Sequence, residues 1–573
     1  MIGLWDTFHE QLVLMLVLMP ILGAILSAAM WTFGRATVRT AAITNACFSL
    51  LLAGMILADQ PLAESSDLEQ FDTQPSVTWF RVASPTFSPP ADSTDEHWRM
   101  LVTVGVGADG LGASLLLILA VGMLAVVASA KAGHAHDDRG MFPLLLLLHA
   151  ALNTVLAAQD GLMFAVSLGV TGGLWYVLIG EFGRYDRRTA ATRVGTIWFT
   201  ASLLAGVAVV SAAILYDRVL TGASERTSRG LSFDWNLLVE SLSVVRLAVS
   251  TDLTAFHFFW NQSASLSFLP WLLASGCLLT IIPATGWIKS AVAEAPRGVG
   301  GLLFASVQLV GSLIVLRYML PAFPDQCDQW APFLRGLASV GLLLAAWKAT
   351  RATDRFELAT QLGIASSQLA VLSFFTLQTA GIVGGLLVVL AHSSAAVLIE
   401  PLGCLTHVPA SRRTHPTKFL ASSIAEGTDT QSQLANRSGS GLAADSRPID
   451  RLLGLLVVAS LMGLPGLAGF TGLMLASTAI FLTSMTPLLI AWIAVIVLGS
   501  VLWQASGALR PNSAVESPPE RFTLLPAAVM LVWLGVMPAI LIARVTPVVE
   551  RITSDPDDQT AILLEDRPNS VEI

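Results

Sequence analysis

The chain has 573 residues, of which Lys and Arg (32) and Asp and Glu (40) together make only 13%, against 54% hydrophobic residues. Its mean hydropathy is +0.69 and its formal net charge −8. A soluble domain carries about 25% charged residues, so this composition excludes a soluble enzyme, and the negative balance argues against nucleic-acid binding. The four cysteines, Cys47, Cys277, Cys327 and Cys404, are scattered, without CxxC spacing or a neighbouring Cys/His group. No metal, iron–sulfur or haem site is expected, and no glycine-rich nucleotide-binding motif is present.

Apolar runs long enough to cross a bilayer lie at 11–32, 39–57, 106–130, 141–158, 161–180, 195–215, 266–289, 298–320, 331–350, 357–377, 379–402, 452–483, 486–508 and 523–545. Continuous apolar runs, rather than alternating ones of about ten residues, predict helices and not a membrane barrel. The expected fold class is all-α, a polytopic membrane protein of about 14 transmembrane helices. With the N-terminus outside, 21 of the 32 Lys and Arg residues fall in the inner loops, so the enrichment of inner loops in basic residues places both termini on the outer face.

Three polar stretches interrupt this pattern. Residues 58–98 read as an acidic outer loop, 216–265 contain an amphipathic segment at Leu237 to Val249, and 403–450 read as a flexible inner linker. The expected organisation is two N-terminal helices with the acidic loop (1–105), a core (106–402), the linker (403–451), a C-terminal helical unit (452–545) and a polar tail (546–573).

Ionisable groups inside spans cost roughly 2.5–3.5 kcal/mol each, which makes the few present candidates for function. His149 lies in the fourth span, and His392 in the eleventh, with Glu400 two turns further on. Gln308 and the run Ser366, Ser367, Gln368 are polar and uncharged. For each histidine two readings stand open, a neutral imidazole bonded to a neighbour or a proton carrier. For Gln308 and the serines the alternatives are helix-to-helix hydrogen bonding and a place on a proton path. Pro283 and Pro465 fall within the seventh and twelfth spans, where proline breaks or kinks a helix. Paired interrupted helices are a feature of ion-transport sites.

The stretch from Thr285 to Pro324 resembles a segment of the antiporter-like membrane subunits of respiratory complex I, above all the M-type (chain 4) subunit of proton-translocating NADH:quinone oxidoreductase. The matching residues are Trp287, Glu294, Ala295, Pro296, Gly311, Leu316, Arg317, Leu320, Pro321, Phe323 and Pro324. Asp109-Gly110, Asp160, Gly180, Thr353-Asp354, His392, Leu464-Pro465-Gly466, Gly469-Phe470 and Gly472 extend the match over roughly 100 to 545. The resemblance implies fourteen helices with broken helices 7 and 12, a bacterial inner membrane, and partnership with other membrane-arm subunits. NADH, FMN, iron–sulfur clusters and quinone would be bound by partner subunits, and no cofactor by this chain itself. It further implies proton translocation along a row of buried charged residues, in which moving one charge shifts the next group's proton affinity.

At this point the chain departs from the pattern. The family's glutamate on helix 5 falls at Gly169, and its lysines on helices 7 and 8 at Leu278 and Leu309. The acidic residue of helix 12 falls at Leu473 and the histidine of helix 10 at Ser366, while His149 takes the place of a helix-4 glutamate. The expected function is a membrane-arm subunit that lacks the full pumping row, with at most a partial path through His149, His392, Glu400, Gln308 and Ser366. The alternatives are a module of a cation/proton antiporter, hydrogenase or inorganic-carbon uptake complex, and a purely structural scaffold.

Overall fold

The structure is a computed structural model and describes residues 11–60, 77–83, 98–133, 137–223, 231–235, 238–239, 254–352, 354–402, 448–506 and 523–553. The linker 403–450 and most of the amphipathic segment Leu237 to Val249 lie outside the described residues.

Helices occupy every apolar run read from the sequence. They are α1 (Leu12–Ala29), α2 (Arg35–Asp59), α3 (Gly110–Ser129), α4 (Met141–Ala157), α5 (Gly161–Phe182), α6 (Arg187–Ala223), α7 (Thr254–Leu278), α8 (Gly286–Glu294) and α9 (Gly300–Leu313). The chain continues with α10 (Pro324–Ala349), α11 (Arg355–Phe374), α12 (Thr379–Ile399), α13 (Pro448–Leu461), α14 (Ala468–Thr483), α15 (Met485–Ser506), α16 (Leu525–Val536) and α17 (Pro538–Thr553). Among the described residues nine helices are long and apolar enough to cross a membrane unaided, or ten if a bent pair counts as one span. The helical membrane architecture therefore stands, while the count of fourteen spans is not established by length and composition.

The only strands among the described residues are β1 (Val77–Ala83), β2 (Trp98–Val104) and β3 (Leu231–Ser232). β1 pairs antiparallel with β2, and β3 adds in parallel to β2, in the order β1-β2-β3. β1 lies within the stretch read as an acidic loop, and β2 begins at its end.

α3, α9 and α12 form the centre. α3 is buried along its whole apolar window and the other two over nearly all of theirs, as expected of helices that are apolar on all sides. α1, α2, α6 and α15 surround them with exposed Leu, Ile, Phe and Trp side chains, the surface a bilayer solvates.

Both expected interruptions are present. α7 stops at Leu278 and α8 starts at Gly286, with Pro283 between them; α13 stops at Leu461 and α14 starts at Ala468, with Pro465 between them. In lipid such breaks survive only where the freed backbone groups find partners. At the first, Ile281 N–H donates to Gly276 O (2.9 Å), and the Thr280 carbonyl accepts from Gln368 Nε2 on α11 (2.9 Å). Gly311 lets α9 lie against this break, since a Cβ there would come within 2.7 Å of Leu279 Cγ. At the second, Gly463 and Gly466 take φ of +69° and +83°, a region open to glycine. Gly472 brings α14 against the backbone of α12 at Val388.

Two departures were not expected. The run 523–545 is two helices bent by 76° at Met537, because Pro538 cannot donate a helical hydrogen bond and turns the preceding residue out of the helical region. α9 also ends in a π-helical turn, Ile314–Met319.

The amide of Gln368 is thus what holds the first break to α11. Gln368→Leu leaves the Thr280 carbonyl buried without its donor, at a cost of about 1–3 kcal/mol. A lowered thermal midpoint of the purified chain in detergent is the expected result, and a wild-type midpoint would contradict it.

Candidate functional site

The polar groups of the interior gather where α9, α11 and α12 meet. Gln308 sits in the middle of α9, fully buried, and its Nε2 lies 3.1 Å from Gly363 O, 2.6 Å from Ser366 Oγ and 3.0 Å from Ser367 Oγ, all on α11. An amide has two hydrogens, so these three acceptors share them. Its Oε1 accepts from Ser393 Oγ on α12 at 3.4 Å, and Ser366 Oγ donates in turn to Gly363 O (2.8 Å). Gln308 therefore ties α9, α11 and α12 together through neutral groups, none of which exchanges a proton near neutral pH.

His392 precedes Ser393 on α12, buried, with its ring edge-on to Phe304 at 5.8 Å between centroids. His149 is fully buried on α4. Among the described residues neither nitrogen of His149 nor Nε2 of His392 has a hydrogen-bond partner, and no hydrogen bond links His149 to the Gln308 cluster. Ser366 and Gln308 are thus brought together, with Ser393 beside His392 joining them, whereas His149 stands apart.

The four positions at which the resemblance implies channel charges are filled as follows. Leu278, Leu309 and Leu473 are buried in the apolar core. Gly169 faces Ser202 of α6, whose Oγ lies 2.9 Å from where a Cβ would stand and donates to Ala165 O (2.7 Å).

Charge is kept at the two faces of the bundle. On one, Glu400 at the end of α12 is ion-paired with Arg184, whose guanidinium also lies over the Phe356 ring at 4.5 Å. Glu294, within the matched segment, accepts from the Asp186 amide through its carboxylate (2.8 Å) and from the Arg184 amide through its carbonyl (2.9 Å). Lys131 and Arg297 exchange backbone hydrogen bonds at 2.9 and 3.0 Å on this side. Glu400 is therefore bound at a face and does not reach His392 along the interior. On the opposite face Arg317, from the π-helical turn, binds Asp109 at 2.5 Å and Leu156 O at 3.3 Å, and Trp235 Nε1 donates to Arg317 O. Asp109 also caps α3 by accepting from Gly112 N (2.7 Å).

Sequence reading named Asp109 and Arg317 only as matches. Their pairing spans 208 residues, and no local pattern announces it. Ser393 joins the cluster only in the fold, and its one sequence signal is a serine next to His392 inside a span.

Among the described residues no group of three or more His, Cys, Asp or Glu comes together to hold a metal ion.

No family model matches the chain. It is 26% identical over 323 residues to an NAD(P)H-quinone oxidoreductase chain 4 of Trichormus variabilis, covering 56% of this chain and about half (54%) of that one. It is 22% identical over 402 residues to NADH-quinone oxidoreductase subunit M of Escherichia coli, covering 66% and 68%. Among solved structures it is similar to a chain of respiratory complex I from Thermus thermophilus (TM-score 0.67, 20% identity, 94% of this chain and 99% of that one). It is also similar to a chain of the Mrp complex from Dietzia sp. (TM-score 0.66, 13% identity, 97% and 99%).

The Asp109 pair gives a stability test. Asp109→Asn takes away the carboxylate that Arg317 binds, so the melting temperature should fall, and an unchanged one would contradict the assignment.

The matched segment around Glu294, the two interrupted helices and the named relatives agree that the chain is a divergent relative of the subunit M and chain 4 proteins of NADH-quinone oxidoreductases.

Proposed function

We propose that this chain is a membrane-arm subunit of a complex I-like NADH:quinone oxidoreductase, and that it does not carry protons through its own centre by a row of buried charges. The observation that carries this reading is the set of Leu278, Leu309 and Leu473 in the core, beside a Gln308 amide already saturated by protein groups. Leucine offers neither charge nor a hydrogen bond to water, so each such position interrupts a proton relay. Glu400, held by Arg184, serves as a clasp between helices. Its partners would be other membrane-arm subunits, with NADH, FMN, iron–sulfur clusters and quinone bound elsewhere in the assembly. The excess of Lys and Arg on the Arg184 face supports placing that face inside, with both chain ends outside a bacterial inner membrane.

The test is reconstitution of the complex in proteoliposomes, with protons moved per electron measured before and after Gly169→Glu, Leu278→Lys and Leu309→Lys. The ratio in the unmodified complex should fall short of the one expected if every antiporter-like subunit pumps. A full ratio without these substitutions would overturn the reading. In the same preparation His149→Leu and His392→Leu should leave the ratio unchanged, whereas a drop in a fully assembled complex would reveal a rerouted path.

The similarity to the Mrp chain, over 97% of this one, favours a second reading, a module of a cation/proton antiporter. Affinity purification of the tagged chain separates the two. Co-purifying NADH-oxidising or quinone-binding subunits support the first, and antiporter subunits alone support the second.

A further inference from the structure

The face that carries Arg184 and Glu294 has most of its cations matched to a protein group. Lys289 is ion-paired with Glu357 at 2.8 Å and Arg184 with Glu400, Arg35 reaches Asp138 at 2.7 Å, and Arg193 Nη1 donates to Ser290 Oγ at 3.1 Å. At one corner the pattern changes. Lys348, Arg351 and Arg355, at the junction of α10 and α11, have no carboxylate partner among the described residues, and the acids nearest in sequence are engaged elsewhere: Asp354 caps α11 by accepting from Glu357 N (2.7 Å), and Glu357 pairs with Lys289. The negative end of α10 accounts for Lys348 in its last turn, but Arg351 and Arg355 lie beyond that helix.

Two further observations give the corner its character. The Arg351 guanidinium rests 4.1 Å above the Trp347 ring, and that of Arg355 lies 4.9 Å from the Phe356 ring, so both are held in place by aromatic faces. Below them the outer side of α10 exposes Phe333, Val340, Leu344 and Trp347 at helical spacing, an apolar stripe that ends at the cations. A phosphate-bearing headgroup would meet the guanidinium groups while its acyl chains lie along the stripe.

We propose that the Trp347–Lys348–Arg351–Arg355 corner is a binding site for an anionic phospholipid, seated with its phosphate on the two arginines and its chains on α10. Basic clusters at the ends of spans attract anionic lipids at about 1 kcal/mol, roughly five-fold in affinity, for each cation. The site therefore selects the anionic headgroup, while the apolar stripe is indifferent to it.

The experiment uses the full-length chain with whatever it co-purifies, delipidated in detergent and titrated with phosphatidylglycerol or phosphatidylcholine, with lipids bound counted by native mass spectrometry. The variant Lys348→Gln/Arg351→Gln/Arg355→Gln is expected to weaken the tightest phosphatidylglycerol binding by roughly 100-fold, the product of three such factors, and to leave phosphatidylcholine binding unchanged. Arg193→Gln, a cation on the same face outside the corner, should alter neither. Should the triple variant fail to assemble, Arg351→Gln alone, at an exposed position, is expected to show about a five-fold loss. Undiminished phosphatidylglycerol binding would overturn the proposal, as would equal loss of both lipids. Displacement of the bound lipid by millimolar inorganic phosphate would assign the corner to a free anion instead. Loss of a partner subunit with lipid binding intact would assign it to an acidic protein surface.

Discussion

A helix interrupted inside a bilayer survives only if every backbone group it frees finds a partner within the protein, and this requirement organises the centre of the molecule. The break between Leu278 and Gly286 is held to α11 by one side-chain amide, Gln368 on Thr280, and is pressed against α9 through Gly311. One layer away, Gln308 repeats the device, binding α9 to α11 and α12. The two glutamines make α11 the post on which the broken helix and the central pair are hung. The donors of both amides go to protein groups, Gln368 to Thr280 O and Gln308 to Gly363, Ser366 and Ser367.

Polar strength is distributed accordingly. The interior relies on neutral hydrogen bonds, whereas the ion pairs described here stand at the two faces, Arg317 with Asp109 on one and Arg184 with Glu400 on the other. Each pair keeps part of its side chains exposed, which lessens the desolvation that a fully buried pair suffers. Paired face charges set helix ends in register, while the centre is tied by uncharged groups. Two interrupted helices are thus packed into a centre whose described hydrogen bonds join neutral groups. The corner at Trp347 follows the same division, with cations placed where the bilayer itself can supply the anion.

Much of this was legible from residues alone. Continuous apolar runs announce membrane helices because no other secondary structure satisfies the backbone in lipid, and Pro283 and Pro465 mark the two breaks because proline cannot continue a helix. That Gln308 and the Ser366, Ser367, Gln368 run can bond neighbouring helices is also readable, since uncharged polar groups in a span do so, and the structure shows those bonds. Other features left no such trace. The bend at Met537 lies within an unbroken apolar run, where hydropathy does not distinguish a proline at a helix start from one in its middle. The π-helical turn at Ile314–Met319 changes no periodicity that composition can report. Glu400 looked like a neighbour of His392 along one helix, and only the fold, which brings Arg184 to it across 216 residues, shows it to be bound at a face. The sheet that joins β1 and β2 to β3 lies at the edge of a stretch whose acidic and proline residues read as loop.

The proposed absence of a proton relay through the middle of this chain is tested by the ordered water along the bundle's mid-plane in an experimental structure of the assembled complex, at a resolution where single waters are visible. Waters are expected beside the polar groups at Thr280 and Gln308, with no unbroken chain past Leu278, Leu309 and Leu473. A continuous file of waters linking His149 to His392 through those positions would contradict it.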